Sequence, residues 1–501
     1  MPRDDPALLQ KQISTDKETD MNRKRPLALL IAAMLLLAGC GTANDTNARE
    51  TTGESTVVPT IGETETETES PLLTDSVPID LKFDGVTFRM YSPDQYDGPC
   101  MVEEETGEVL NDAKYKMELL TEDRLGVAIE ETLAPYWDML ASVDQLVTSG
   151  DKTYGCVTMM DRFALTLAQK GCILPMQNVP YVNLDAPYWG SQITKTLSVN
   201  GNSYFAVGSF NLRSFKDTAC VMMNTTLAEN FGITPPHDLV DAGTWTFDKM
   251  AELGRDVTAD LNGDGVMNAD DRYGLGTFDI RSSPIFMWIA ADIRVVDKDE
   301  NDVPYLNVYG NERFVSVMEW TYKNFVADMD LPEVGNDIFE EGKELFCIGY
   351  FSHIIGLREM EDDFTVLPIP KWDETQTDYR SRTYDAMCNM VPATVSDVDL
   401  SGAVLEVLSC MGHNYVVPAF IENSLMQKYS RDAESVKSIQ IAFDTRVVDM
   451  AEAFMFDVFG NDATLAYITA PQLNTASWLE SNRSKAEKEL ATIIKVLGKT
   501  E

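Results

Sequence analysis

Beyond residue 85, short apolar and β-branched runs alternate with stretches whose apolar residues recur at helical spacing. Val86-Thr87-Phe88-Arg89-Met90-Tyr91 precedes a helical stretch over 113–125, then Gly126-Val127-Ala128-Ile129-Glu130, a helix over 138–148 and the strand Cys156-Val157-Thr158-Met159-Met160. Strand–helix–strand units of this length join parallel strands through crossovers, which puts helices on both faces of a sheet. The pattern predicts α/β architecture. A second α/β region starts near Thr218, with a helix over 314–327 and a strand over 345–349. Asn200-Gly201-Asn202 reads as a hairpin turn before a strand at 203–207. The end, 477–497, reads as an amphipathic helix with Trp478, Leu490, Ile493, Ile494 and Leu497 among Lys and Glu.

Ahead of this region stands MNRKRPLALLIAAMLLLAGC, residues 21–40, with a basic start, a short apolar run and small residues at its end. That is a secretory signal, too short for a membrane span. LAGC resembles a bacterial lipobox, so Cys40 is expected to be lipidated, with residues 1–39 removed and Met21 as the true initiator. Residues 41–77, including GETETETES, read as a disordered acidic Thr/Ser/Glu tether. The expected location is extracytoplasmic, with the membrane reached through the lipid on Cys40.

With 81 acidic against 40 basic residues and a net charge of −41, nucleic acid and bare anionic membranes are poor partners. Of eight cysteines, Cys100, Cys156, Cys172, Cys220, Cys347, Cys388 and Cys410 remain beside Cys40. Their odd number and lack of CxxC spacing argue against a disulfide framework or zinc site, and buried small hydrophobes are expected. Cys156 with Cys172 is the pair that could bridge. Only three histidines occur, none with HExxH spacing, and no GxSxG elbow, P-loop or dinucleotide fingerprint is found. Nothing here asks for catalysis.

DLNGDGVMNADD, residues 260–271, has the spacing of a calcium loop. Asp260, Asn262, Asp264 and Asp271 supply side-chain oxygens at positions 1, 3, 5 and 12, Val266 a carbonyl at 7, and Asn268 stands at 9. A helix capped by Thr246, burying Phe247, Met250, Ala251 and Val257, leads in, but Arg272-Tyr273-Gly274-Leu275-Gly276-Thr277 reads as turn and strand. A sensor needs two helices, so calcium is expected as a structural staple, an empty acidic turn being the other reading. The aspartate at position 12 makes the loop similar to dockerin loops.

Aromatic residues stand at loop-like places: Tyr136-Trp137, Tyr188-Trp189, Trp245, Trp288, Trp372 and Tyr384. A strand followed by Asp161-Arg162-Phe163, then Asn200 to Val207 before Met223-Asn224, Pro235-Pro236, Trp245-Thr246-Phe247-Asp248, the 260–271 loop with Tyr273-Gly274, and 339–349 leading into Val366-Leu367-Pro368-Ile369-Pro370-Lys371 follow in order. In that order they resemble the extracellular solute-binding proteins of ABC importers, the carbohydrate-type group that includes maltose-binding protein, over roughly residues 78–501.

The resemblance implies a two-lobed periplasmic-binding-protein-like fold with a ligand cleft between lobes. It implies an N-terminal lobe of 78–215 plus 378–418 and a C-terminal lobe of 216–377 plus 419–501. The implied role is that of a monomeric, non-enzymatic receptor that closes on a sugar and passes it to separate ABC permease subunits. Carried over by position, the ligand residues are Asp161, Arg162, Asp217, Phe286, Trp288 and Tyr384. Phe351 and His353 fall near the crossings or the cleft rim. Thr158 and Ser352 replace expected aromatics, which argues against maltodextrin itself. Two other readings compete: a calcium-dependent adhesion or scaffold module, for which one dockerin-like loop falls short of the usual two, and a surface glycosidase using two of the many carboxylates.

Overall fold

Most of the apolar runs that alternate with helices become strands of two four-stranded sheets, with two smaller two-stranded pairings beside them. The computed structural model describes residues 72–96, 99–326, 337–421, 433–470 and 473–499. The strands are β1 Val86–Pro93, β2 Val127–Ala134, β3 Cys156–Met160, β4 Ala219–Asn224, β5 Tyr273–Thr277, β6 Val296–Lys298, β7 Pro304–Leu306, β8 Glu344–Tyr350, β9 Phe364–Leu367, β10 Ser381–Arg382, β11 Met387–Met390 and β12 Arg446–Val447. One sheet has the order β11-β3-β1-β2 and the other β5-β8-β4-β9. β1 runs parallel to β2 and β3, Val86 facing Val127 and Met90 facing Cys156, as the helical crossovers require. β11 closes the first sheet antiparallel to β3.

Three segments pass between the sheets and are hydrogen-bonded side by side. Thr218 bridges Thr383, β10 pairs with β12, and Thr383 N donates to the Val447 carbonyl at 2.7 Å. β3 and β4 are buried along their whole length. Alternate residues of β4 enter separate apolar clusters, Val221 and Met223 in one and Cys220 and Met222 in the other. Because Val157 and Met159 of β3 share a cluster with Val221 and Met223, the core continues past the crossing. A strand covered on both faces reads as a nearly continuous apolar run, as CVTMM and ACVMMN do.

Several expectations are revised. The helix expected over 113–125 begins at Val109, because the Glu108 side chain accepts from Asn111 N and caps it. Residues 203–207 form no strand: Ala206 makes an isolated bridge to Asn389, and Phe205, Ala206 and Val207 are all buried. Residues 72–77, expected as tether, are tied down where described. Leu73 N donates to Asn414 Oδ1 at 2.9 Å, Arg124 pairs with Asp75 at 3.1 Å, and Val77 is buried. All seven cysteines outside the leader are buried and none is in a disulfide among the described residues, Cys156 and Cys172 included. The signal, Cys40 and the tether to residue 71 lie outside the described residues.

Thr246 caps the helix Phe247–Gly254 by accepting from Lys249 N at 3.4 Å, as expected, with Phe247, Met250 and Val257 buried. That helix lies against β5 so closely that a Cβ on Gly274 would stand 1.9 Å from the Gly254 carbonyl oxygen. Only glycine allows this approach. It fixes both ends of the 260–271 loop.

Candidate functional site

The crossing segments bring together side chains far apart in sequence. Asp217 follows the short helix Arg213–Lys216, and Arg213 reaches it across one turn, Nη2 to Oδ2 at 2.5 Å. Ser352 Oγ donates to Asp217 Oδ1 at 3.0 Å, and Tyr384 N donates to the Asp217 carbonyl at 3.1 Å. From the first sheet, Asp161 and Arg162 open a single turn at the end of β3. Arg162 pairs with Asp385 and donates to Tyr384 Oη at 3.2 Å. Its guanidinium lies 4.9 Å from the Phe456 ring centre. The pair therefore joins the first sheet to a crossing segment.

Aromatic rings extend this patch. Tyr136 is buried at the centre, edge-on to Tyr96 and Trp137 at 4.8 Å each and to Phe163 at 5.6 Å. Trp137 is 70% exposed and Tyr96 43% exposed, so both offer ring surface to solvent. The Arg213 guanidinium stands 5.1 Å from the Tyr96 ring centre, which links the second ion pair to the same rings. The Nε atoms of Arg162 and Arg213 are buried and have no hydrogen-bond partner among the described residues. Exposed rings beside fixed guanidinium–carboxylate pairs can hold a flat apolar surface and order hydrogen bonds around it.

Burial and the Asp385 charge push the Asp161 carboxyl up to about 8, against the pull of Arg162. Asp161 is itself buried, and its Oδ1 accepts from Arg162 N at 2.7 Å. Burial acts against the Arg162 cation, but Asp385 outweighs it and the guanidinium pKa rises. Behind Tyr384 the fully buried Arg382 pairs with Glu452, donates to Tyr350 Oη and lies 4.7 Å from the Tyr384 ring centre. Tyr350 stacks on Tyr384 with ring centres 6.2 Å apart. This support fixes the Tyr384 ring.

Of the residues expected at the ligand, Asp161, Arg162, Asp217 and Tyr384 meet here. Phe286 and Trp288 do not reach the surface. Both lie on the helix Ser283–Ala290, whose every residue is buried; Trp288 packs on Phe314 at 5.8 Å, and Phe286 on Tyr350 at 5.1 Å. A helix apolar all round has no face to offer a ligand. Thr158 is buried and donates to Asn389 Oδ1, and Phe351 packs on Phe443 inside the core. His353 stacks on Phe278 at 4.3 Å, and burial pushes its imidazole down to about 4. Sequence reasoning missed Tyr96, Arg213, Asp385 and Phe456, and noted Trp137 without assigning it to the ligand.

The 260–271 loop spends its oxygens on its own amides. Asp260 accepts from Gly263 and Gly265 N, Asn262 from Asp264 N, Asp264 from Val266 N, and the buried Asp271 from Leu261 and Asn268 N. Its oxygen donor set is of the calcium type. Among the described residues, however, no group of three or more His, Cys, Asp or Glu side chains converges as a metal site.

No protein-family model and no curated protein matches the sequence. Solved structures do match. A cyclo/maltodextrin-binding protein complexed with maltotetraose superposes with a TM-score of 0.53 at 14% identity, covering 83% of this chain and 97% of that one. A sugar transporter of Rhizobium etli in an open conformation gives 0.52 at 12%, and an ABC substrate-binding protein of Listeria monocytogenes in complex with cycloalternan gives 0.51 at 11%; both comparisons cover 83% of this chain and 100% of the other. The chain has the two-lobed α/β fold of these solute-binding proteins. Among the described residues no helix is long and apolar enough to cross a membrane.

Proposed function

We propose that this chain is the substrate-binding component of an ABC importer, which captures a sugar or oligosaccharide by lobe closure and delivers it to permease subunits. It acts without covalent chemistry, outside the cytoplasm, as a monomer anchored through a lipid on Cys40. The observation that carries this reading is the exposed Trp137 and Tyr96 beside the Arg162–Asp385 and Arg213–Asp217 pairs. Ring faces suit the C–H face of a pyranose, and paired guanidinium and carboxylate groups suit its hydroxyls. Sugar ligands in proteins of the same fold support it.

A thermal-shift screen of the full chain against malto-, manno- and cyclic oligosaccharides tests it. A ligand of the folded state raises the melting temperature, by about 2.7 kcal/mol of stability at a hundred times Kd. No shift with any saccharide overturns the reading. We further propose that calcium, when bound, staples the 260–271 loop through Asp260, Asn262, Asp264, Asn268, Asp271 and the Val266 carbonyl. Calcium should raise the melting temperature and chelator should lower it, with saccharide affinity unchanged; no response to calcium removes the staple.

A further inference from the structure

A cavity of about 600 Å³ is lined by none of the rings of the candidate site. The helix Arg213–Lys216 separates the two places: Arg213 serves the candidate site, whereas Ser214 and Phe215 line the cavity. Val207, Val417, Pro418 and Ile421 make apolar wall, and His413, Gln440 and Arg446 bring polar groups. Its size is that of a small-molecule site.

Arg446 is the unusual member. Its guanidinium lies 4.0 Å from the Phe215 ring centre and 5.7 Å from that of Phe443. Nε donates to the Phe443 carbonyl at 2.9 Å and Nη1 to the Ser214 carbonyl at 3.5 Å. No carboxylate among the described residues comes within ion-pair distance of it, in a chain with 81 acidic residues. Asp444, the carboxylate on the wall, is exposed and takes a 2.8 Å hydrogen bond from Gln440 Nε2. Burial pushes the Arg446 pKa down to about 10, against the opposing charge of Asp444, and it stays charged at neutral pH. Burial and the Arg446 charge hold His413 below its usual range, so it faces the cavity neutral. A guanidinium has five N–H donors, and those beyond the two carbonyl contacts have no partner among the described residues.

We propose that this cavity is a second binding site, for a small organic carboxylate with an apolar body, whose carboxylate pairs with Arg446 while its body fills the wall of Val207, Val417, Pro418 and Ile421. A planar guanidinium fits a carboxylate two-pronged, and the aliphatic residues give an apolar body a surface to cover. The site stands apart from the sugar reading and needs no saccharide.

Titration calorimetry of the full chain with benzoate, and with benzamide as its uncharged twin, tests it. Benzoate should bind one site saturably and benzamide at least tenfold more weakly. Arg446→Gln should weaken benzoate at least tenfold. Should that variant fail to fold, His413→Asp, which keeps the guanidinium and faces it with a carboxylate, should give the same loss. Absence of saturable benzoate binding, equal binding of benzamide, or benzoate affinity unchanged in a folded variant overturns the proposal.

Discussion

Arg382 and Glu452 show how much one buried pair can hold. Arg382 is fully buried, shares its guanidinium between Glu452 and Tyr350 Oη, and lies under the Tyr384 ring. Glu452→Ala leaves that charge without its partner, and by the usual cost of breaking a buried pair stability should fall by about 3–5 kcal/mol in denaturant unfolding. A loss under about 1 kcal/mol would mean that Tyr350 and Asn461, whose Oδ1 accepts from Arg382 Nη2 at 3.2 Å, suffice. His353 carries a pH dependence of definite sign. Burial lowers its folded pKa to about 4 from the ordinary 6.5, so its contribution is complete above pH 6.5 and is lost as pH falls towards 4. Allowing for its partial exposure, His353→Gln should retain about 2 kcal/mol more of its pH 7 stability at pH 4 than the parent does. An identical acid limb for both proteins would contradict this. The pairing of Arg162 with Asp385, 223 residues away, leaves no trace in local spacing. The burial of Phe286 and Trp288 overturns their expected place at the ligand, although SPIFMWIA, apolar along nearly its whole length, carried the signal.

At the scale of elements, legibility followed the number of independent signals. Cys156–Met160 is a strand of the expected length, and Thr246 caps its helix, since apolar run, cap and periodicity agree there. The segment 203–207 looked like a strand because it is apolar, but its backbone finds a ladder only at Ala206. Composition carries no information on which backbone groups find partners. The contact of Gly254 with Gly274 makes a sharper test. Gly274→Ala forces the helix Phe247–Gly254 off β5, and overpacking of this kind costs about 1–3 kcal/mol. The expected outcome is a lower melting temperature together with weaker calcium response, since both ends of the loop move. An unchanged melting temperature would show that the helix yields freely.

For the whole molecule, the α/β alternation was enough to forecast two sheets, whereas the site depends on where three crossing segments meet. Asp217, Tyr384 and Asp385 sit on or beside those segments, next to the Thr218–Thr383 bridge, so the proposed lobe closure would act directly on the site geometry. Tyr96 and Arg213 could not be found from motifs, because neither belongs to a recognisable spacing and only the fold brings them within 5.1 Å. The central claim is that a saccharide rests on the rings beside these ion pairs. Titration calorimetry of the full chain and its Trp137→Ala variant, using the saccharide with the largest thermal shift, tests this most directly. Loss of an exposed stacking ring should weaken binding about tenfold, near 1.4 kcal/mol, with the melting temperature of the free protein unchanged. A saccharide that binds Trp137→Ala as tightly as the parent would contradict the account.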